Sequence, residues 1–177
     1  MAENVMEFGK LAHIGRTTKV VKGGRRFRFG AIYIAGNQNG MVGVGTGKAT
    51  EVMEANEKAR NDAMKNMVKV PLKEGRTIHH DVIGKFGSGL VKMRSAPAGT
   101  GIIAGGPIRA VCEAVGIKDI VVKSLGSSNP HNMIKAAIKA LTSTRSPKYI
   151  SEKRNKKVGE IVSRREKRGG ASSESAA

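Results

Sequence analysis

The chain is poor in aromatic residues, with four Phe, two Tyr and no Trp among 177 residues, so its core is expected to consist of Val, Ile, Leu, Ala and Met. Aliphatic residues are plentiful enough for such a core, which excludes a wholly disordered chain. Cysteine occurs once, as Cys112 in the apolar run Arg109-Ala-Val-Cys112-Glu-Ala-Val115. That excludes an intramolecular disulfide and leads us to expect a reduced, buried thiol. No apolar stretch approaches the roughly 20 residues of a membrane span. The N-terminal Met1-Ala-Glu-Asn-Val-Met-Glu7 lacks the basic segment and apolar run of a signal peptide. A soluble, intracellular protein of one large or two small domains is the expectation.

Acidic residues are scarce in proportion: 14 Asp and Glu stand against 32 Lys and Arg, a net charge of +18. Such an excess attracts polyanions, of which nucleic acid is the commonest. The gaps in the acid distribution say more than the sum. From Phe8 to Thr50 there is no acid, while Lys10, Arg16, Lys19, Lys22, Arg25, Arg26, Arg28 and Lys48 supply eight cations. A second acid-free window runs from 82 to 112. Between them Glu51, Glu54, Glu57 and Asp62 interleave with Lys58, Arg60 and Lys65 around an apolar stripe of Val52, Ala55, Ala59, Ala63 and Met67. The spacing predicts an amphipathic, charge-balanced helix from Thr50, as N-cap, to Val68.

Ahead of that helix, Arg26 to Ala35 alternates as a strand does, Gly36 to Gly40 reads as a five-residue turn and Met41 to Gly45 as the return strand. Lys19 to Lys22 reads as an earlier strand joined through Gly23-Gly24. Pro71 to Gly75 marks a boundary. Beyond it, Thr77 to Ile83 and Gly89 to Arg94 are strand-like on either side of a glycine-bearing turn. A helix is expected from Pro107 to Val115, a strand from Lys118 to Leu125, and a helix from His131 to Leu141 after the cap Ser127-Ser-Asn129-Pro130. Residues 148–170 hold nine Lys or Arg and three Glu and read as short helical turns fading into a disordered Ser/Ala/Gly tail.

Two glycine motifs invite nucleotide readings. Gly43-Val-Gly-Thr-Gly47-Lys48-Ala49 fails two fixed positions of the P-loop pattern, at Val42 and Ala49, so its glycines are read as allowing close backbone approach, with Lys48 at a helix N-terminus. Gly99-Thr-Gly101-Ile-Ile-Ala104 matches the dinucleotide pattern between a strand and a helix, but Asp119 falls at the beginning of the next strand instead of its end. A tight turn is the reading preferred. His79 and His80, adjacent on a strand, would point to opposite faces and cannot chelate one ion. His13 and His131 are read as surface or half-buried residues. No nucleophile-base set or carboxylate pair can be assembled, and no enzyme activity, cofactor or metal is expected. The run Arg25-Arg26-Phe27-Arg28-Phe29 fails the aromatic RNA-stacking pattern, having Arg where small residues belong. Phe27, Phe29 and Tyr33 are therefore expected to pack under the helix while Arg26 and Arg28 face outward.

Cations on loops suit folded RNA, whose phosphates and hydroxyls are read across a shallow groove. The residues expected to meet RNA are Arg16, Lys19, Lys22, Gly23, Gly24, Arg25, Arg26, Arg28 and Lys48, with Lys85, Lys92, Arg94 and Lys123 on a second surface. An enzyme holding a nucleotide phosphate at the Gly99 to Ala104 turn or at the Gly126-Ser-Ser128 cap, and a free-standing RNA chaperone, stand as alternatives.

Long motifs then agree with one family. Lys22-Gly-Gly-Arg-Arg-Phe27, Gly36-x-x-Asn39-Gly40-x-Val42-Gly43-x-Gly45-x-Gly47-Lys48-Ala49, Gly99-Thr-Gly-Ile-Ile-Ala-Gly-Gly106 with Arg109-Ala-Val111, and Gly126-Ser-Ser-Asn-Pro130-x-Asn132 resemble the bacterial small-subunit ribosomal protein S5 family, over about residues 9 to 160. The resemblance implies an α+β protein of two small domains: a double-stranded-RNA-binding-like three-stranded sheet plus helix (1–70) and a split β-α-β domain (71–147), followed by a basic C-terminal extension (148–177). It implies a structural place in the cytoplasmic small ribosomal subunit, contact with ribosomal RNA, and the ribosomal proteins S4 and S8 as neighbours. It further implies a position near incoming messenger RNA, where decoding accuracy is influenced. Lys19 to Arg28 would match the loop that reaches toward the head and the spectinomycin site, and Gly105, Gly106 and Arg109 would face S4. One departure stands out: Asn37, Gln38 and Met41 replace the Asp, Gly and Arg of the family's usual turn.

Overall fold

The computed structural model describes residues 8–163. Two compact units divide the chain, Met1–Thr144 and Arg145–Ala177. The first holds two sheets. Strands β1 (Phe8–Val21), β2 (Gly24–Gly36), β3 (Met41–Ala49) and β4 (Met67–Lys69) form an antiparallel sheet in that order, with helix α1 (Val52–Lys65) between β3 and β4. The second sheet has the order β5 (Val82–Phe86), β6 (Gly89–Ser95), β8 (Ile120–Ser124), β7 (Ile102–Ile103). Its one parallel pair, β7 and β8, is joined through helix α2 (Gly106–Val115), and helix α3 (Pro130–Ser143) follows. The α+β arrangement of two sheets with helices is the one the resemblance implies, with β4 as a short fourth strand.

Pairing moves several of the expected boundaries. β3 runs on to Ala49 because Ala49 pairs with Phe29; Thr50 is therefore not the cap of α1, and Glu51 takes that place. The helix stops at Lys65 instead of Val68, since Met67–Lys69 pairs with Met41–Gly43. β1 begins at Phe8, far ahead of Lys19. Gly84–Phe86 belongs to β5 and not to a turn, and His79 and His80 lie in a bend before β5, so their opposed strand placement does not apply. At α3 the expected cap holds: the Asn129 side chain accepts the His131 N–H at 3.1 Å.

The layers run α1, first sheet, α2 and α3, second sheet. Residues directly opposite each other on paired strands share a face, which places Ala31, Tyr33 and Ala35 with Gly47, Gly45 and Gly43 under α1. A Cβ at Gly43, Gly45 or Gly47 would stand 2.1 Å from the carbonyl oxygen of Ala63, Ala59 or Ala55. The three glycines are thus the bed in which α1 lies. The opposite face contributes Ile32, Ile34 and Val42 to a core shared with Val111, Val115, Met93, Ile120 and Ile134. The turn between β2 and β3 docks on the C-terminus of α2: Gln38 N–H donates to Ala114 O at 3.1 Å and Gly40 N–H to Val115 O at 2.9 Å. Gly116, with φ 89°, closes α2 where a Cβ would meet Gln38 O at 1.9 Å.

In the second unit, helix α4 (Pro147–Arg154) is capped by Ser146, which accepts the Tyr149 N–H. The Tyr149 ring carries Arg145 at 4.8 Å and Lys153 at 4.9 Å from its centroid. The disordered tail expected beyond Gly169 lies outside the described residues.

Candidate nucleic-acid interface

Strands β1 and β2 outrun the rest of their sheet. Beyond the level of Ala49, five residue pairs from Thr17–Arg28 to Val21–Gly24 continue as a two-stranded arm with Lys22 and Gly23 at its tip. At about 3.4 Å per residue the arm projects about 17 Å. Its backbone pairing continues although the side chains along it stay largely exposed. Arg16, Lys19, Lys22, Arg25, Arg26 and Arg28 are all exposed, and among the described residues none of them has a carboxylate partner.

The register sorts these cations. Thr17, Lys19, Arg26 and Arg28 share one face and line a shallow hollow of about 270 Å³. Lys48, paired with Gly30, lies on the same face lower down; it is a strand residue and not, as the motif suggested, at a helix N-terminus. His13 also stands on this face, and its charge and those of Lys135 and Lys48 reach His131. Partial burial first, and those three groups after it, hold the His131 imidazole below its ordinary value. The other face carries Arg16, Thr18, Val20, Arg25 and Phe27. The Arg16 guanidinium lies 4.6 Å from the Phe27 centroid, a cation on a ring face. Phe29 and Tyr33 pack beside Ala31, Ala55 and Ala59 as expected, but Phe27 lies past the end of that cluster and stays 44% exposed.

The second sheet presents its own surface. Val82, Gly84, Val91, Met93, Ile120 and Val122 turn toward α2 and α3, so alternation puts Lys85, Lys92, Arg94 and Lys123 together on the outer face, all exposed. Lys92 and Lys123 are direct cross-strand partners, a like-charge pair that is unfavourable by itself and that a polyanion would relieve. Arg94 also reaches Asp81, at 3.4 Å. Ile83 and Ile103 lie exposed among these cations. Four residues from three strands are thereby gathered on one face.

Gly105 is the N-cap residue of α2 and Gly106 its first residue, with open space where a Cβ would be. Arg109 is engaged locally: its Nε donates to Glu113 Oε1 at 2.9 Å and its Nη1 to Ile102 O at 3.0 Å. Lys10 holds the other oxygen of Glu113 at 3.1 Å. Burial tends to raise the Glu113 pKa, and these two cations outweigh it and hold the carboxyl below its ordinary value. Asp119, read from sequence only as a misplaced acid, is buried and accepts the Gly99 and Gly101 N–H groups at 3.0 and 2.9 Å, while Arg76 Nε donates to its second oxygen. The Gly101 amide and then Arg76 lower its pKa. Arg76 was not among the residues expected at any site, and nothing in the sequence pairs it with a residue 43 positions away. Cys112 is fully buried, and burial, with Glu113 adding to it, pushes its thiol up to about 12. Among the described residues no helix is long and apolar enough to cross a membrane.

Residues 9–71 match the family model described as ribosomal protein S5, N-terminal domain, and residues 84–154 the one described as ribosomal protein S5, C-terminal domain. The chain is 60% identical over 156 residues to the small ribosomal subunit protein uS5 of Pelagibacter ubique, covering 88% of this chain and 92% of the relative. It is 59% identical over 157 residues to that of Paramagnetospirillum magneticum, covering 89% and 75%. With that of Rhodospirillum rubrum the identity is 57% over 157 residues, covering 89% and 79%.

Proposed function

The chain belongs to the ribosomal protein S5 family, and from that premise we propose that it is a structural, non-enzymatic component of the small ribosomal subunit whose two separate cationic surfaces hold segments of ribosomal RNA in a fixed relation. The arm of Arg16, Lys19, Lys22, Gly23, Gly24, Arg25, Arg26 and Arg28, continued by Lys48, takes one RNA segment. The outer face of the second sheet, with Lys85, Lys92, Arg94 and Lys123, takes another. The observation that carries this reading is the projecting arm, whose five cations, with Arg16 at its base, lack carboxylate partners among the described residues. A folded chain gains nothing internally from such an arm; its charge acts on a partner. Phosphates supply the affinity and RNA shape the specificity.

In this reading residues 1–70 and 71–147 are two RNA-facing halves fixed to each other through the Gln38–Ala114 and Gly40–Val115 contacts, and 148–177 is a basic extension. Gly105, Gly106 and Arg109 face S4, S8 is a second neighbour, and the protein sits in cytoplasmic ribosomes beside the messenger entry, where it contributes to decoding accuracy. The test is co-sedimentation of the full chain with small subunits through a high-salt wash. Retention is expected; release into the supernatant, with the protein folded, contradicts the proposal.

A further inference from the structure

Past the edge of α2, the inner face of β3 looks onto α3 across a groove of about 680 Å³. Val44, Val68, Phe86 and Ile138 give it an apolar lining, and Lys135 and Lys139 of α3 stand over it. Phe86 is 40% and Val68 38% exposed, an uncovered aromatic and aliphatic surface in a chain with only six aromatic residues. Lys135 Nζ lies 5.1 Å from the Phe86 centroid. The one carboxylate in the lining, Asp62, already accepts the Thr46 N–H and the Asn66 side-chain amide, each at 2.9 Å, so the two lysines leave the groove net cationic.

We propose that this groove holds one unpaired nucleotide of ribosomal RNA, its base against Phe86 and the aliphatic lining and its phosphate at Lys135 and Lys139. An aromatic ring beside ammonium groups is the combination by which splayed-out bases are bound, and the volume lies within the range of roughly 300–1,000 Å³ of small-ligand sites, too confined for a duplex. An acidic peptide would also meet the two lysines. RNA is favoured by continuity: Lys48 follows Thr46 on the same strand face and leads to Arg28, Lys19 and Arg26 of the arm, a track along which a phosphate backbone leaving the groove continues. The face of the arm and the groove then act on one RNA segment, the first by charge and the second by holding a base.

The proposal rests on the reading of the chain as a ribosomal RNA binder, and its test separates the two. Small subunits reconstituted with the full chain are irradiated with ultraviolet light and digested, and ribonucleotide adducts are located by mass spectrometry. An adduct on Phe86 is expected. In parallel, Phe86→Ala should weaken binding of the full chain to protein-free small-subunit RNA about tenfold at an unchanged melting temperature. If Phe86→Ala does not fold, Lys139→Glu, on the exposed side of α3, reads the same loss. Normal incorporation with no adduct in the groove and unchanged affinity of the folded variants overturns the proposal while leaving the ribosomal reading standing. A protein cross-link to Phe86 in place of RNA overturns it likewise. A chain that does not enter subunits at all fails the ribosomal reading first.

Discussion

Asp119 Oδ1 accepts the backbone N–H of Gly101 at 2.9 Å and that of Gly99 at 3.0 Å. The turn with the dinucleotide pattern therefore aims its amides at a carboxylate of its own chain, which Arg76 holds from the other side. Empty clusters of backbone N–H groups bind phosphate; here a phosphate would have to displace a buried, hydrogen-bonded anion. A nucleotide thermal-shift screen is expected to leave the melting temperature unchanged, and stabilisation by any nucleotide would revive the enzyme alternative.

The same carboxylate makes stability depend on pH. Its folded pKa lies below the ordinary value of 3.8, so its contribution is complete above that value and is lost as pH falls through the lower folded one. Asp119→Asn should melt well below the parent at neutral pH, and the gap should close at the acid end. A gap that stays constant into strong acid would show that the charge is not what matters.

Cys112 is buried and its thiol is pushed up to about 12. At neutral pH it is a thiol and not a thiolate, the reactive form. A thiol reagent should modify no cysteine in the folded chain and one after denaturation. Rapid modification of the native protein would place Cys112 at the surface.

Much of this could be read from residues and much could not, for definable reasons. The helix bearing Ala55, Ala59 and Ala63 and the cap at Asn129 were legible because their signals are local. The ends of β3 and α1 were not, because Ala49 stays extended by pairing with Phe29, and Met67 leaves the helix to pair with Gly43. Lys85, Lys92, Arg94 and Lys123 were expected together on a second surface, and the strand order is what makes that surface one face of a sheet. Gln38 was visible as a family departure; the turn docks through backbone N–H groups, which any side chain leaves in place.

The glycine bed beneath α1 predicts a packing penalty. A methyl group at Gly45 would stand 2.1 Å from Ala59 O and 2.2 Å from Ala63 N, backbone atoms that cannot yield without moving the helix. Gly45→Ala should cost about 3 kcal/mol in chemical denaturation. A cost near zero would mean that α1 is not seated on β3.

The central claim is that exposed cations hold RNA phosphates, and the salt dependence of binding tests it most directly. Affinity of the full chain for small-subunit RNA, measured from low to moderate salt, should fall steeply. The Arg25→Ala, Arg26→Ala, Arg28→Ala triple variant, unchanged in melting temperature, should bind more weakly with a shallower slope, by roughly 0.7–0.9 for each phosphate that the variant no longer neutralises. An affinity that barely responds to salt, or a triple variant with the parent's slope, would contradict the account.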